Sequence, residues 1–201
     1  MKYNFLKFSL LFAIGFATAI FSSCNQNEPE IENGFVIEAR NVINSSDEIV
    51  SVGAMLDWRT GNTISQVPYR NRGFTMTLPE TLADEHLRSI ASLFWLDSMT
   101  ISDENAKGFV IEAFGAFNEN DVIVGTLSLS GSKIIDFNSV SWIYTDRDVV
   151  LEFQSYEFST VIDLDLKKGW NIVYRIGQTF TTQKPSEFDV EWRFVLPVAP
   201  G

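Results

Sequence analysis

Apolar and polar side chains alternate one by one along much of this chain. Phe74, Met76 and Leu78 alternate with Thr75 and Thr77, and Val140, Trp142 and Tyr144 with Ser141 and Ile143. Further on, Phe158, Thr160, Ile162, Leu164 and Leu166 alternate with Ser159, Val161, Asp163 and Asp165. A period of two sends successive side chains to opposite faces, the mark of a half-buried strand. The same reading predicts strands over 35–42, 49–56, 109–117, 122–130, 170–176 and 188–196. Turn-forming residues fall between them, as in Asn44-Ser45-Ser46-Asp47, Gly131-Ser132 and Lys167-Lys168-Gly169. Many short strands punctuated by turns predict an all-β domain, a β-sandwich or, alternatively, a barrel-like closure. Trp142, Trp170 and Trp192 fall on the apolar faces of their strands and are expected in the core.

One segment has a different period. Over 81–96 the apolar positions Ala83, Leu87, Ile90 and Phe94 step by four, three and four, Thr81 can cap, and Asp84 and Glu85 suit the positive end of a helix dipole. This predicts one short helix around 81–96. The favoured organisation is one domain over 35–201, and the alternative is two subdomains divided near 80–108.

The N-terminus carries a different kind of pattern. Lys2 and Lys7 precede an apolar run from Phe8 to Phe21, followed by Ser22, Ser23 and Cys24. A basic start, a short apolar stretch and small residues make a secretory signal over 1–23; a bilayer span would need about 20 apolar residues. Cys24 is the chain's one cysteine, so no internal disulfide forms. The stretch that follows, CNQNEPEIENG over 24–34, has Ile31 as its one large apolar residue and reads as an acidic tether.

Ser22-Ser23-Cys24 after that run resembles the lipobox of bacterial lipoproteins, with Phe21 where Leu is usual, a departure that Bacteroidetes lipoproteins tolerate. The phrase LKKGWN over 166–171, the stretch Trp142 to Asp148 and the stretch Gly73 to Pro79 are similar to a group of small Bacteroidetes outer-membrane lipoproteins. The resemblance implies acylation of Cys24, attachment to the membrane through that lipid, and an outer-membrane location. The acids after Cys24 resemble a surface-export signal, and Asn25 is not the Asp that signals inner-membrane retention. The resemblance carries no activity with it.

Charge removes one class of partner. The chain holds 15 Lys and Arg against 26 Asp and Glu, a net −11; without residues 1–23, which contain two lysines, it stands at −13. Such a chain repels nucleic acid, whose binding depends on cations meeting phosphates. No phosphate loop, dinucleotide fingerprint, nucleophile elbow or zinc-protease motif is present, and no cofactor is implied. His86, the single histidine, lies in the predicted helix and is expected to be structural.

Three carboxylate pairs stand two residues apart: Asp146 with Asp148, Asp163 with Asp165, and Asp189 with Glu191. A glycosidase needs two carboxyls at about 5–9 Å with one of them buried. These face away from the apolar sides of their strands, so they are expected to solubilise the sheet. Asn118-Glu119-Asn120-Asp121 could offer oxygens to calcium but fits a hairpin turn better, since a strand follows at once.

The remaining anomaly is basic. Arg59, Arg70 and Arg72 lie within fourteen residues, beside Trp58 and Tyr69. Rings and guanidinium forks together suit a hydroxylated or anionic group, so these five residues are the candidate ligand-binding set. The expected function is a non-catalytic, lipid-anchored envelope module that binds a glycan, a peptide or a partner protein. A hydrolase acting through a carboxylate pair and a structural, fimbria-associated component are the alternatives.

Overall fold

A computed structural model describes residues 34–94, 99–132, 137–155, 157 and 159–196. The signal segment, Cys24 and most of the tether lie outside these residues. Among the described residues, strands account for nearly all regular structure, as the alternation predicts. No helix among them is long and apolar enough to cross a membrane.

The strands are β1 (Phe35–Ala39), β2 (Ser51–Asp57), β3 (Asn62–Pro68), β4 (Phe74–Leu78), β5 (Arg88–Ser89), β6 (Thr100–Ile101), β7 (Lys107–Ile111) and β8 (Phe114–Phe117). They continue with β9 (Ile123–Ser130), β10 (Ser139–Thr145), β11 (Val149–Ser155), β12 (Thr160–Leu166), β13 (Gly169–Ile176), β14 (Thr179–Thr181) and β15 (Glu191–Val195). β1 and β4 form a small antiparallel sheet. The large sheet runs β3-β2-β8-β9-β10-β13-β14-β12-β11-β6, with β15 added to β9, β7 to β10 and β5 to β7.

This sheet folds around two cores that share a wall. The first gathers Ile37, Met76, Leu78, Phe74, Phe114, Trp142 and Trp192 with their neighbours. The second gathers Ile90, Ile143, Leu151, Ile162, Leu164, Leu166 and Val173. β10 pairs with β13 along its whole length. Val140 and Trp142 of β10 enter the first core, and Ile143 enters the second. On β13, Trp170 and Tyr174 pack on the first, and Val173 lies within the second. The architecture is sandwich-like, with one strand pair buried from both sides.

Alternation fixes which residues go inward. In β4, Phe74, Met76 and Leu78 are buried while Thr75 and Thr77 are exposed, and β12 buries Ile162, Leu164 and Leu166 against exposed Asp163 and Asp165. Trp142 and Trp192 are core residues; Trp170 is only partly buried, and its indole N–H donates to the Pro79 carbonyl at 2.8 Å.

The helix expected over 81–96 is absent among the described residues of that segment. Two 3₁₀ turns, Asp84–His86 and Ile90–Leu93, stand there with β5 between them. Sheet pairing takes the backbone groups a helix would have used: Arg88 and Ser89 pair with Gly108 and Lys107, and the Ile90 N–H donates to the Ala106 carbonyl. Ile90 alone is fully buried in the second core, while Ala83 is exposed, so the four apolar positions never formed one face. The strand expected over 109–117 is two: β7 pairs with β10, and after Glu112-Ala113 the chain changes partners so that β8 pairs with β2 and β9.

Candidate functional site

The β2–β3 hairpin separates the five residues expected to share a surface. Trp58 and Arg59 sit in the turn at one end of the hairpin. Tyr69, Arg70 and Arg72 follow β3 at the other end, about 20 Å away along a seven-residue strand. One continuous ring-and-arginine surface over Trp58–Arg72 is therefore not what the fold builds.

At the first end, the Asp57 carboxylate organises the turn. It accepts from the Arg59 N–H at 2.8 Å and the Thr60 hydroxyl at 3.0 Å, and Gly61 closes the turn at φ +78°. These bonds, the Arg59 N–H first, hold the Asp57 carboxyl below its ordinary range. Trp58 is 47% exposed, and Arg59 makes no ion pair among the described residues.

At the second end the chain makes a tight reversal. Arg70 and Gly73 exchange both main-chain hydrogen bonds at 2.9 Å, and Asn71 and Arg72 between them take φ +51° and +57°. Two successive left-handed residues give the turn that matches strand twist. Gly73 is required by contact, since a Cβ there would collide with the Ala39 carbonyl oxygen. Tyr69 is buried rather than displayed: its hydroxyl pairs with the Ser45 hydroxyl at 2.7 Å, and burial pushes its pKa up. Arg72 is a strap. Its Nε and Nη2 both donate to the Val42 carbonyl, at 3.1 and 2.7 Å, and its own carbonyl accepts from the Val42 N–H.

Arg70 is left with an exposed guanidinium and no side-chain partner among the described residues. It borders an open notch of about 590 Å³ together with Arg40, Asn41 and Asn71. Arg40 is held by Glu38 at 2.6 Å, and Asn41 is itself left-handed at φ +54°. In a chain as acidic as this one, the notch presents one unpaired guanidinium and several amide groups on a backbone fixed by turn geometry.

Farther along the same segment, Asn44 to Ser46 line a larger groove of about 830 Å³, which the sequence did not reveal. Asn44, Ser45 and Ser46 line it together with Arg193 to Leu196 and Phe137. The signal that existed was the polar string Asn44–Ser46, read as a turn; its partner wall is about 150 residues away in sequence.

Of the paired carboxylates, Asp148, Asp163, Asp165, Asp189 and Glu191 are exposed, as expected, and Asp146 is half-buried; Asp146, Asp148, Asp165 and Glu191 are also tied to cations or turns. Asp146 takes Arg147 at 3.0 Å and the Lys107 N–H at 2.9 Å; burial raises its carboxyl, but these bonds outweigh burial and hold it below the ordinary range. Asp165 pairs with Lys167 at 2.8 Å, and Glu191 with Arg193 at 2.6 Å. The acids that do face each other directly are Glu152 and Asp163, opposite one another across β11 and β12 and both exposed. In the 118–121 turn, the Asn118 side-chain oxygen accepts from the N–H groups of Asn120 and Val122, both at 3.0 Å, so turn formation accounts for its position. Among the described residues no group of three metal-ligating side chains comes together. His86 sits on the first 3₁₀ turn, 3.7 Å from Glu85.

No family model, curated protein or solved structure matches this chain.

Proposed function

We propose that this protein is a lipid-anchored binding module of the bacterial outer membrane, held by an acylated Cys24 and recognising a ligand through the notch around Arg70. The observation that carries the reading is the unpartnered Arg70 guanidinium beside Arg40 on a turn whose backbone is fixed by Asn71, Arg72 and Gly73. A guanidinium already forked to a carboxylate has its donors satisfied; an unpaired one offers a planar, two-pronged grip.

The anchor and the notch are compatible in chain order. The tether ends at Gly34, where β1 begins, and Arg40 and Asn41 follow the far end of β1, about 17 Å along the strand. The ligand chemistry this favours is a hydroxylated or anionic group on a glycan, peptide or protein. The lipobox resemblance of Ser22-Ser23-Cys24 supports the compartment.

Two measurements test the reading. Radiolabelled palmitate should enter the wild-type chain and not Cys24→Ala, and Cys24→Ala should leave the membrane fraction; label in neither would remove the anchor. Among the described residues every buried residue of both cores lies at or after Ile37, so the mature chain without its lipid keeps both of these cores. Screened on an array of neutral, uronic and sulfated glycans, that chain should give hits that Arg70→Gln abolishes. Hits indifferent to Arg70→Gln would discard the notch.

A further inference from the structure

The tether meets the first strand at Gly34, and the fold brings two turns to that end. Phe35 pairs with Leu78, so β1 begins where β4 finishes. β3 and β4 are joined by the Arg70–Gly73 reversal and run antiparallel, with the Ser65 hydroxyl donating to the Thr77 carbonyl at 3.2 Å. The start of β3 therefore lies beside the finish of β4. From Ser65 the strand extends back three residues to Asn62, about 10 Å, where it meets the turn that holds Trp58 and Arg59. Trp58 is thus carried on a hairpin tip at the end where the tether departs, opposite the end that holds the arginine notch.

The second turn at this end is Lys167-Lys168-Gly169. Gly169 and Trp170 line a small opening of about 280 Å³ together with Gly34, Phe35 and Glu80, and the Trp170 indole ties this corner to Pro79. Lys168 is exposed and, like Arg59, makes no side-chain ion pair among the described residues. Asp57 is committed to its own turn, and Asp148 and Asp165 to Lys167. Glu80 is the acid by the opening that has no cation partner among the described residues. An exposed indole and two free cations around the exit of a lipid-linked tether suit a bilayer surface. Indole rings settle at headgroup depth, and Lys or Arg near the surface meet lipid phosphates. Ten steps of chain separate Cys24 from Gly34, at most about 35 Å, so a lipid on Cys24 keeps this end within reach of the membrane.

We propose that the Trp58 turn is a second membrane contact: the Trp58 indole seats among the headgroups of the bilayer to which the chain is tethered, and Arg59 and Lys168 meet phospholipid phosphates. The contact rests on the lipid-anchor reading, since the anchor is what brings this end to a bilayer. The bonds to Asp57 fix the turn, so the ring is presented on a set backbone. The contact orients the module with the Trp58 end on the membrane and the arginine notch away from it, which a covalent link alone does not do.

The test imposes the anchor rather than assuming it. The mature chain is coupled through the thiol of Cys24, its one cysteine, to a maleimide-bearing phospholipid in vesicles of phosphatidylcholine and phosphatidylglycerol, with and without brominated acyl chains. Bromine quenches indoles that reach the bilayer. The coupled wild type should lose roughly the emission of one of its five tryptophans, and Trp58→Phe should abolish that loss. Arg59→Gln with Lys168→Gln, which removes roughly fivefold of attraction per cation, should at least halve it. Emission that bromine leaves unchanged in the wild type overturns the proposal, as does quenching that survives Trp58→Phe or is indifferent to the loss of both cations. So does a blue-shifted Trp58 emission in the uncoupled chain that dilution reverses, since a second copy would then cover the turn. Because the maleimide supplies the link, these outcomes stand whether or not the cell acylates Cys24, which the palmitate measurement decides.

Discussion

The two cores are built from different materials. In the first, Phe74, Phe114, Trp142 and Trp192 form a cluster with ring centroids 5.3–5.7 Å apart, Trp142 and Trp192 stacked at 11° and most of the others tilted or edge-on. These rings come from β4, β8, β10 and β15, spread over more than a hundred residues of chain. The second core is aliphatic, and most of it is supplied by β10 to β13, consecutive strands joined by short turns. One is closed by distant pieces meeting, the other by neighbours folding back. Loop closure costs more for the first, and rings that each touch several others repay it through large buried areas and defined contacts.

The sharpest way to break this comparison is to truncate one residue in each core. Trp192→Ala should cost about 4–5 kcal/mol in urea unfolding, because it removes three ring contacts and the indole bond to the Glu38 carbonyl. Leu164→Ala, fully buried among aliphatic neighbours, should cost about 3 kcal/mol. The reverse order would mean that the aromatic cluster is not the tighter of the two.

Gly73→Ala tests whether the first region depends on close backbone approach. The added Cβ meets the Ala39 carbonyl, backbone that cannot swing aside, so a loss of about 1–3 kcal/mol is expected. A melting temperature equal to wild type would show that β1 and β4 can separate there.

The second region carries an acid-sensitive corner. The Asp146 carboxyl is held below its ordinary value of 3.8 in the folded state, so its stabilisation is full above that value. It is lost as pH falls through the lowered folded value. The acid limb of a stability–pH curve should therefore be shallower in Asp146→Asn than in wild type between about pH 5 and pH 2. Superimposable limbs would mean that the bonds from Arg147 and Lys107 contribute nothing.

The smallest effect expected is a gain. Glu152 and Asp163 face each other with like charge, and Glu152→Lys should convert that into an attractive pair worth roughly 0.2–1 kcal/mol, fading with salt. A salt-independent change would assign the effect to something other than charge.

The same comparison explains what was legible beforehand. β12 could be read directly, because Ile162, Leu164 and Leu166 alternate with acids over a full strand. β3 was not, since NTISQVP is polar and ends in proline, and its place at the sheet's edge makes few demands on its side chains. The apolar steps at 83, 87, 90 and 94 imitated a helix because spacing reports a face only if every member is buried, and Ala83 is not. The arginines were visible as residues, but their separation was not: it depends on the length of β3, which had not been identified as a strand. The groove beside β15 was out of reach altogether, because Asn44–Ser46 and Arg193–Leu196, which line it, lie far apart in sequence.

The strand pair β10–β13 has core packed on both its faces. Neither core can open without stripping one side of that pair, so the two are bound into a single cooperative unit despite their different materials. Calorimetry should then give one transition with equal van't Hoff and calorimetric enthalpies. The amides of Trp142 and Ile143 should be among the last to exchange with deuterium, released only by global unfolding, while those of the Trp58 turn exchange by local fraying.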